Sequence, residues 1–227
     1  MMGERRIAAF GGTFDPVHNG HVEIARAIVH NFGLDQLLIV PAHRPPHKDP
    51  QGIADAYHRY TMAALATLDE PRVIVSTIEL ESPERPYTFE TIERLGSILG
   101  AGGADGAGTR LFFVMGADSF QEINTWREPA RLLSSTDVIV VTRPGHDVKS
   151  SHLDDRFKTT VIDLRERGAE LQIPADDNSH HIYVTGYVNN NVSSTEIRQR
   201  ICNGESIEGL VPPRVADYIN KYDLYRC

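Results

Sequence analysis

Short apolar runs rich in β-branched residues recur along this chain, with helically spaced segments between them, and no other feature restricts its fold as much. "RIAAF" (6–10), "QLLIVP" (36–41), "RVIVSTI" (72–78), "RLFFVM" (110–115) and "DVIVVT" (137–142) are the five main runs. Brief, continuous apolarity marks a strand covered on both faces. "TTVID" (159–163) and "HIYVT" (181–185) add a further strand or two. Residues 20–32 set Val22, Ala25, Val29 and Phe32 on one helical face, with Gly33 as terminator. Residues 54–68 set Tyr57, Thr61, Ala64, Leu65 and Leu68 on one side, and residues 88–99 carry Ile92, Leu95 and Leu99. Strands alternating with helices predict a doubly wound, mostly parallel α/β sheet with right-handed crossovers. Ligands of such sheets bind beyond the strands' carboxyl ends. Segments 11–21, 41–48 and 116–127 each follow a strand end directly, so they should converge.

A chain of 227 residues with 41% hydrophobic and 24% charged residues suits one globular domain over 1–227, with a helical C-terminal part over about 192–227. The net charge of −8 argues against nucleic-acid binding but leaves room for a local basic pocket. Cys202 and Cys227 form no disulfide framework, which points to a reducing, cytoplasmic setting. No apolar run approaches the ~20 residues of a membrane span, and "MMGERRIAAF" lacks a signal peptide's apolar core. "LGAGGADGAGT" (99–109) reads as a surface insertion, and residues 143–156 as an excursion from the sheet. A homo-oligomer is left open.

The first strand runs into "GGTFDPVHNGH" (11–21). Gly11 and Gly12 allow a sharp turn and close approach of a ligand to backbone. A helix then begins, and its free N–H groups make a phosphate site. His18 and His21 stand at that helix start, where imidazoles donating to phosphate oxygens would follow charge as it develops. The Gly-Lys-Ser/Thr of a Walker loop is absent, and so is GxGxxG. Two histidines three residues apart also suit a metal, but no third ligand accompanies them.

His18-Asn19-Gly20-His21 resembles the (T/H)xGH signature of a nucleotidyltransferase superfamily with a Rossmann-like fold. With Phe14-Asp15-Pro16 before it, the stretch is similar to that of bacterial nicotinate-nucleotide adenylyltransferases. Pantetheine-phosphate adenylyltransferases usually carry threonine at the position of His18.

Later segments extend the likeness. "VPAHRPPHK" (40–48) resembles the family's P-x-N-x-P-P-H-K/R, with His43 in place of asparagine and Lys48 set for phosphate on a loop stiffened by Pro45-Pro46. "RPYTFETIERL" (85–95) is similar to its Y-T segment, where Thr88 caps a helix and Tyr87-Thr88 lie beside the pyridine nucleotide. "FVMGADSFQEINTWRE" (113–128) resembles G-x-D-S…W. There Gly116 permits the turn, Asp118 meets the mononucleotide, and Trp126 stacks on the pyridine with Arg127 beside it. Arg143, after "VVT", matches an arginine facing the mononucleotide phosphate. "VSSTEIR" (192–198) resembles the second signature; Ser193 and Glu196 read as a capping box there, and Arg198 falls on the first turn.

The resemblance implies adenylyl transfer from ATP to nicotinate mononucleotide, giving deamido-NAD and pyrophosphate, with Mg²⁺ carried by the phosphates and no protein metal ligands. His18, His21, Lys48 and Arg198 would be catalytic. Gly11, Gly12, Thr13, Phe14, Gly20, Ser193, Ser194 and Thr195 would bind ATP. Asp15, His43, Tyr87, Thr88, Gly116, Asp118, Trp126, Arg127 and Arg143 would bind the mononucleotide. A preference for nicotinamide mononucleotide, a pantetheine-phosphate enzyme, a nucleotide-sensing protein and a histidine-ligated metallohydrolase are the alternatives.

Overall fold

A computed structural model describes residues 4–43, 53–82, 86–101, 108–142, 148–165, 171, 173, 179–187 and 190–227. Lys48 and Arg143 therefore lie outside the described residues, as does most of the 99–109 segment. Seven strands form one sheet: β1 (Arg5–Gly12), β2 (Gln36–Pro41), β3 (Val73–Val75), β4 (Thr109–Gly116), β5 (Asp137–Val141), β6 (Val161–Asp163) and β7 (Ile182–Thr185). The order is β3-β2-β1-β4-β5-β7-β6 and every pairing is parallel. All seven expected strands are present; β3 is the most shortened, pairing only along Val73–Val75 at the sheet's edge.

Strand residues alternate between two cores, as a period of two requires. Ala8, Phe10, Ile39, Phe112 and Val114 face one side with α1 (Asn19–Asn31), α2 (Ala56–Ala66), α7 (Ser194–Cys202) and α8 (Pro213–Lys221). Ile7, Ala9, Val40, Leu111 and Phe113 face the other with α3 (Thr88–Leu99), α4 (Ala117–Gln121), α5 (Pro129–Leu133) and α6 (Asp155–Lys158). Because both faces are covered, the strands are apolar throughout.

The face expected of α2 is reversed. Tyr57 and Leu68 are 69% and 61% exposed, while Ala56, Arg59, Met62 and Ala63 point inward. The cysteines also differ from expectation. Cys202 and Cys227, 25 residues apart in sequence, are joined by a disulfide that ties the end of α7 to the segment beyond α8. No local spacing announces this pair; the tertiary fold brings the end of α7 and the chain beyond α8 together. Among the described residues no helix is long and apolar enough to cross a membrane.

β1 connects outward to β2 on one side and has β4 on the other, so the topological switch point lies between β1 and β4. Their carboxyl ends are Gly12 and Gly116.

Candidate active site

Two cavities meet over this switch point. The larger, about 700 Å³, is walled by β1 and β4 ends, the start of α3, and Trp126. The smaller, about 150 Å³, is walled by His18, Gly20 and His21 of the α1 start, Asp118 and Asn190. Gly11, Gly12 and Gly116 line both. A Cβ at Gly12 would come within 2.9 Å of the Phe14 ring, whereas one at Gly116 would meet nothing and project into open space.

The histidines are held by their own helix start. Their rings stack with centroids 3.7 Å apart. The His18 backbone N–H donates to His21 Nδ1 at 3.2 Å, so His21 carries its ring proton on Nε2 in this arrangement. His18 is 2% exposed. Gly20 is dictated by the same packing: a Cβ there would sit 3.2 Å from the His18 ring. Phe14 adopts φ 50°, a left-handed conformation costly for a residue with a side chain. Its ring packs edge-on against Phe10 and His21, which holds it there.

Behind the turn, its backbone oxygens are taken up by side chains from distant elements. Arg59 Nη1 donates to Thr13 O at 2.8 Å, Arg198 Nη1 to Asp15 O at 2.7 Å, and Ser194 Oγ to Pro16 O at 2.9 Å. Asp15 itself is fully buried. Its Oδ1 accepts from Ala54 N–H at 3.0 Å and from Tyr225 Oη at 2.8 Å. Desolvation and the adjacent Asp15 carboxylate push the Tyr225 phenol far above its ordinary range, so it serves as a donor.

In the larger cavity Tyr87, Thr88, Trp126 and Arg127 form one rim. Trp126 is half-buried and forms a T-shaped pair with Phe113, centroids 6.4 Å apart. That leaves indole surface for an aromatic ligand. Glu79 lines the same cavity. It accepts from Thr91 Oγ1 at 2.9 Å and from the His43 backbone N–H, and burial pushes its carboxyl up.

The expected site residues fall in different places. Asp15, expected at the mononucleotide, is a buried brace that borders neither cavity. Asp118 lines the smaller cavity with the histidines, and Thr13 the larger. His43 and the Ser193-Ser194-Thr195 trio border neither cavity. Ser193 caps α7 by accepting from Glu196 N–H at 3.2 Å, while Ser194 and Arg198 grip the 13–18 turn. Thr88 is the first residue of α3 and Tyr87 its cap, because the Glu90 carboxylate accepts the Tyr87 N–H at 2.7 Å. The reading from sequence missed Arg59, Glu79, Asn190 and Tyr225. Only Arg59 carried a signal: with Ala56, Met62 and Ala63 it shares one helical stripe. Among the described residues no group of three or more His, Cys, Asp or Glu side chains is placed to hold a metal ion.

A family model described as cytidylyltransferase-like matches residues 9–200. The chain is 37% identical over 226 residues to a Thermoanaerobacter sp. (strain X514) protein named "Probable nicotinate-nucleotide adenylyltransferase", covering 100% of this chain and 97% of the relative. An Acidothermus cellulolyticus protein of the same name is 36% identical over 227 residues, with 100% and 97% covered. Among solved structures, Plasmodium falciparum nicotinic acid mononucleotide adenylyltransferase complexed with NaAD superimposes with a TM-score of 0.71 at 18% identity, covering 98% of each chain. The same enzyme complexed with APC gives 0.68 at 18% identity, again over 98% of each chain. At that identity the likeness speaks for the fold.

Proposed function

This chain belongs to the cytidylyltransferase-like family and, through full-length relatives at 32–37% identity, to the nicotinate-nucleotide adenylyltransferases; from that premise we propose how its residues move the adenylyl group of ATP onto nicotinate mononucleotide. The observation that carries the assignment is the pair of cavities sharing Gly11, Gly12 and Gly116. A two-substrate transfer needs two sites that touch, and the shared wall must be thin enough for two phosphates to approach.

The mononucleotide occupies the larger cavity, with its pyridine on Trp126 and its carboxylate at the start of α3 near Thr88. ATP enters the smaller cavity with its phosphates toward the start of α1. A phosphate oxygen of the mononucleotide attacks the α-phosphorus in line. The bond to the β-phosphate oxygen breaks, and pyrophosphate departs with the electron pair. No protein nucleophile takes part. His18 and His21 donate to the phosphates, His21 through Nε2–H, and the positive end of the α1 dipole adds to them. Lys48 and Arg143 are assigned the phosphates by their place in the family motifs. Arg198 and Ser194 act on the 13–18 turn, and Arg198 lends its charge from there. Mg²⁺ would come with ATP as part of the substrate and would neutralise phosphate charge; Asp118, on the wall of the smaller cavity, would be a carboxylate available to it.

The test is pyrophosphate release from ATP and Mg²⁺ with nicotinate mononucleotide, nicotinamide mononucleotide and phosphopantetheine in parallel. Highest kcat/KM with nicotinate mononucleotide is expected. Highest efficiency with either other acceptor would overturn the substrate assignment.

A further inference from the structure

Arg59 lies in the first turn of α2, 1% exposed, on the side of the sheet that packs α1, α7 and α8. Its guanidinium makes three hydrogen bonds, and none of the acceptors belongs to a helix or strand. Nη1 donates to Thr13 O at 2.8 Å, Nη2 to His43 O at 3.1 Å, and Nε to Ala54 O at 3.0 Å. These carbonyls sit in three separate segments: the turn after β1, the loop after β2, and the lead into α2. The segments are also linked to each other. Ala54 N–H donates to Asp15 Oδ1 at 3.0 Å, and His43 N–H to the Glu79 carboxylate. Asp15, Asp55 and Glu79 are the carboxylates whose charge favours the buried cation, Asp15 most.

A buried guanidinium is expensive to desolvate, and an apolar side chain of similar volume would pack α2 as well or better. The cation therefore has its use in geometry. A planar fork with fixed donor directions holds three carbonyls at set separations, which an ammonium on a flexible stem does not. Thr13 and Ala42 are both cavity walls, and the turn that begins at Thr13 ends at His18.

We infer that Arg59 is a positioning residue for adenylyl transfer: by clamping Thr13, His43 and Ala54 it fixes the spacing between the histidine-bearing turn and the mononucleotide wall, and so between the two reacting phosphates. The inference rests on the adenylyl-transfer reading of the site for its catalytic consequence, though not for the clamp itself.

Arg59→Lys and Arg59→Gln in the full chain test it with two readouts, both taken well below each variant's unfolding temperature. Amide hydrogen exchange should rise about tenfold or more across residues 10–18 and 40–43, with residues 24–31 of α1 unchanged as the internal reference. Pyrophosphate release should lose about tenfold to a hundredfold in kcat/KM for both substrates, with kcat itself falling, as expected when reactants are misplaced rather than unbound. Arg59→Lys should fall between the parent and Arg59→Gln. A folded Arg59→Lys whose exchange and kcat/KM both stay within about twofold of the parent overturns the inference, even if its Tm drops. If Arg59→Gln does not fold, Arg59→Lys decides alone. A parent chain that releases no pyrophosphate from ATP and nicotinate mononucleotide would sink the adenylyl-transfer reading, and the exchange measurement would still judge the clamp.

Discussion

The phenol of Tyr225 donates a 2.8 Å hydrogen bond to Oδ1 of Asp15, joining residues 210 positions apart beneath the turn that carries His18. Asp15 is fully buried, and its other acceptor contact at Oδ1 is the Ala54 amide. Tyr225 itself has φ 64°, an unfavourable backbone angle that a firm contact must hold. Tyr225→Phe keeps the ring and removes this donor from a buried carboxylate. It should cost about 1–3 kcal/mol in urea unfolding. A loss below about 0.5 kcal/mol would mean that the tail only rests on the turn.

His18 stands over Gly20 with so little room that a methyl group at position 20 would come within 3.2 Å of its ring. Gly20→Ala should displace the ring and lower kcat by the same kind of factor as His18→Ala. For a lost donor to a transition-state oxyanion that factor is about 10²–10³. Either variant turning over at the parent rate would remove His18 from the chemistry.

Trp126 is half-buried on the rim of the larger cavity and remote from the smaller. Trp126→Ala should raise KM for nicotinate mononucleotide by about tenfold, the worth of one stacked aromatic contact, and leave KM for ATP nearly unchanged. Equal increases for both substrates would count against pyridine stacking.

The Cys202–Cys227 disulfide closes a 25-residue stretch that contains α8. Chain entropy for a loop of that length gives a stabilisation on the order of 3 kcal/mol. Cys202→Ser should lower the urea midpoint accordingly, and treatment of the parent with a dithiol should reproduce the shift. A parent whose midpoint ignores the dithiol, with both thiols titrating as free under non-reducing conditions, would show that the bond does not form in solution.

Glu79 has its carboxyl raised from an ordinary 4.5, first by burial and against the pull of Thr91, the His43 amide and Arg59. The native state therefore holds this proton to a higher pH than the unfolded chain does. Its contribution is fully present below the unfolded value and is lost as pH rises through the folded one. The parent minus Glu79→Gln difference in Tm should accordingly shrink over the pH interval just above the ordinary carboxyl value. A difference that grows over that interval would mean the ionised form is the better-held one.

Much of the site was legible because its parts are local. Gly11-Gly12 after a strand, two histidines at a helix start and a tryptophan set among polar residues are each read within a dozen residues of chain, and each lies on a cavity wall. The supports were not legible in that way. Ser194 and Arg198 sit in a signature that suggests phosphate contact, yet their donors meet the carbonyls of Pro16 and Asp15. Backbone carbonyls carry no sequence signature, so a side chain that serves them looks the same as one that serves a ligand.

By itself the sequence determined the parallel sheet, the convergence of strand ends and the placing of two histidines at a helix start. Hydrophobic period and turn residues act over a few positions, and a reader of the chain sees the same few positions. Tertiary structure alone decided which face of α2 turns inward, that Asp15 is buried under Tyr225 and the Ala54 amide, and that Tyr225 and Cys227 return to secure elements far behind them. A buried charge must find its partners wherever packing brings them. For Arg59 the partners are the backbone of three loops and the carboxylates of Asp15, Asp55 and Glu79, which only the closed fold assembles around it.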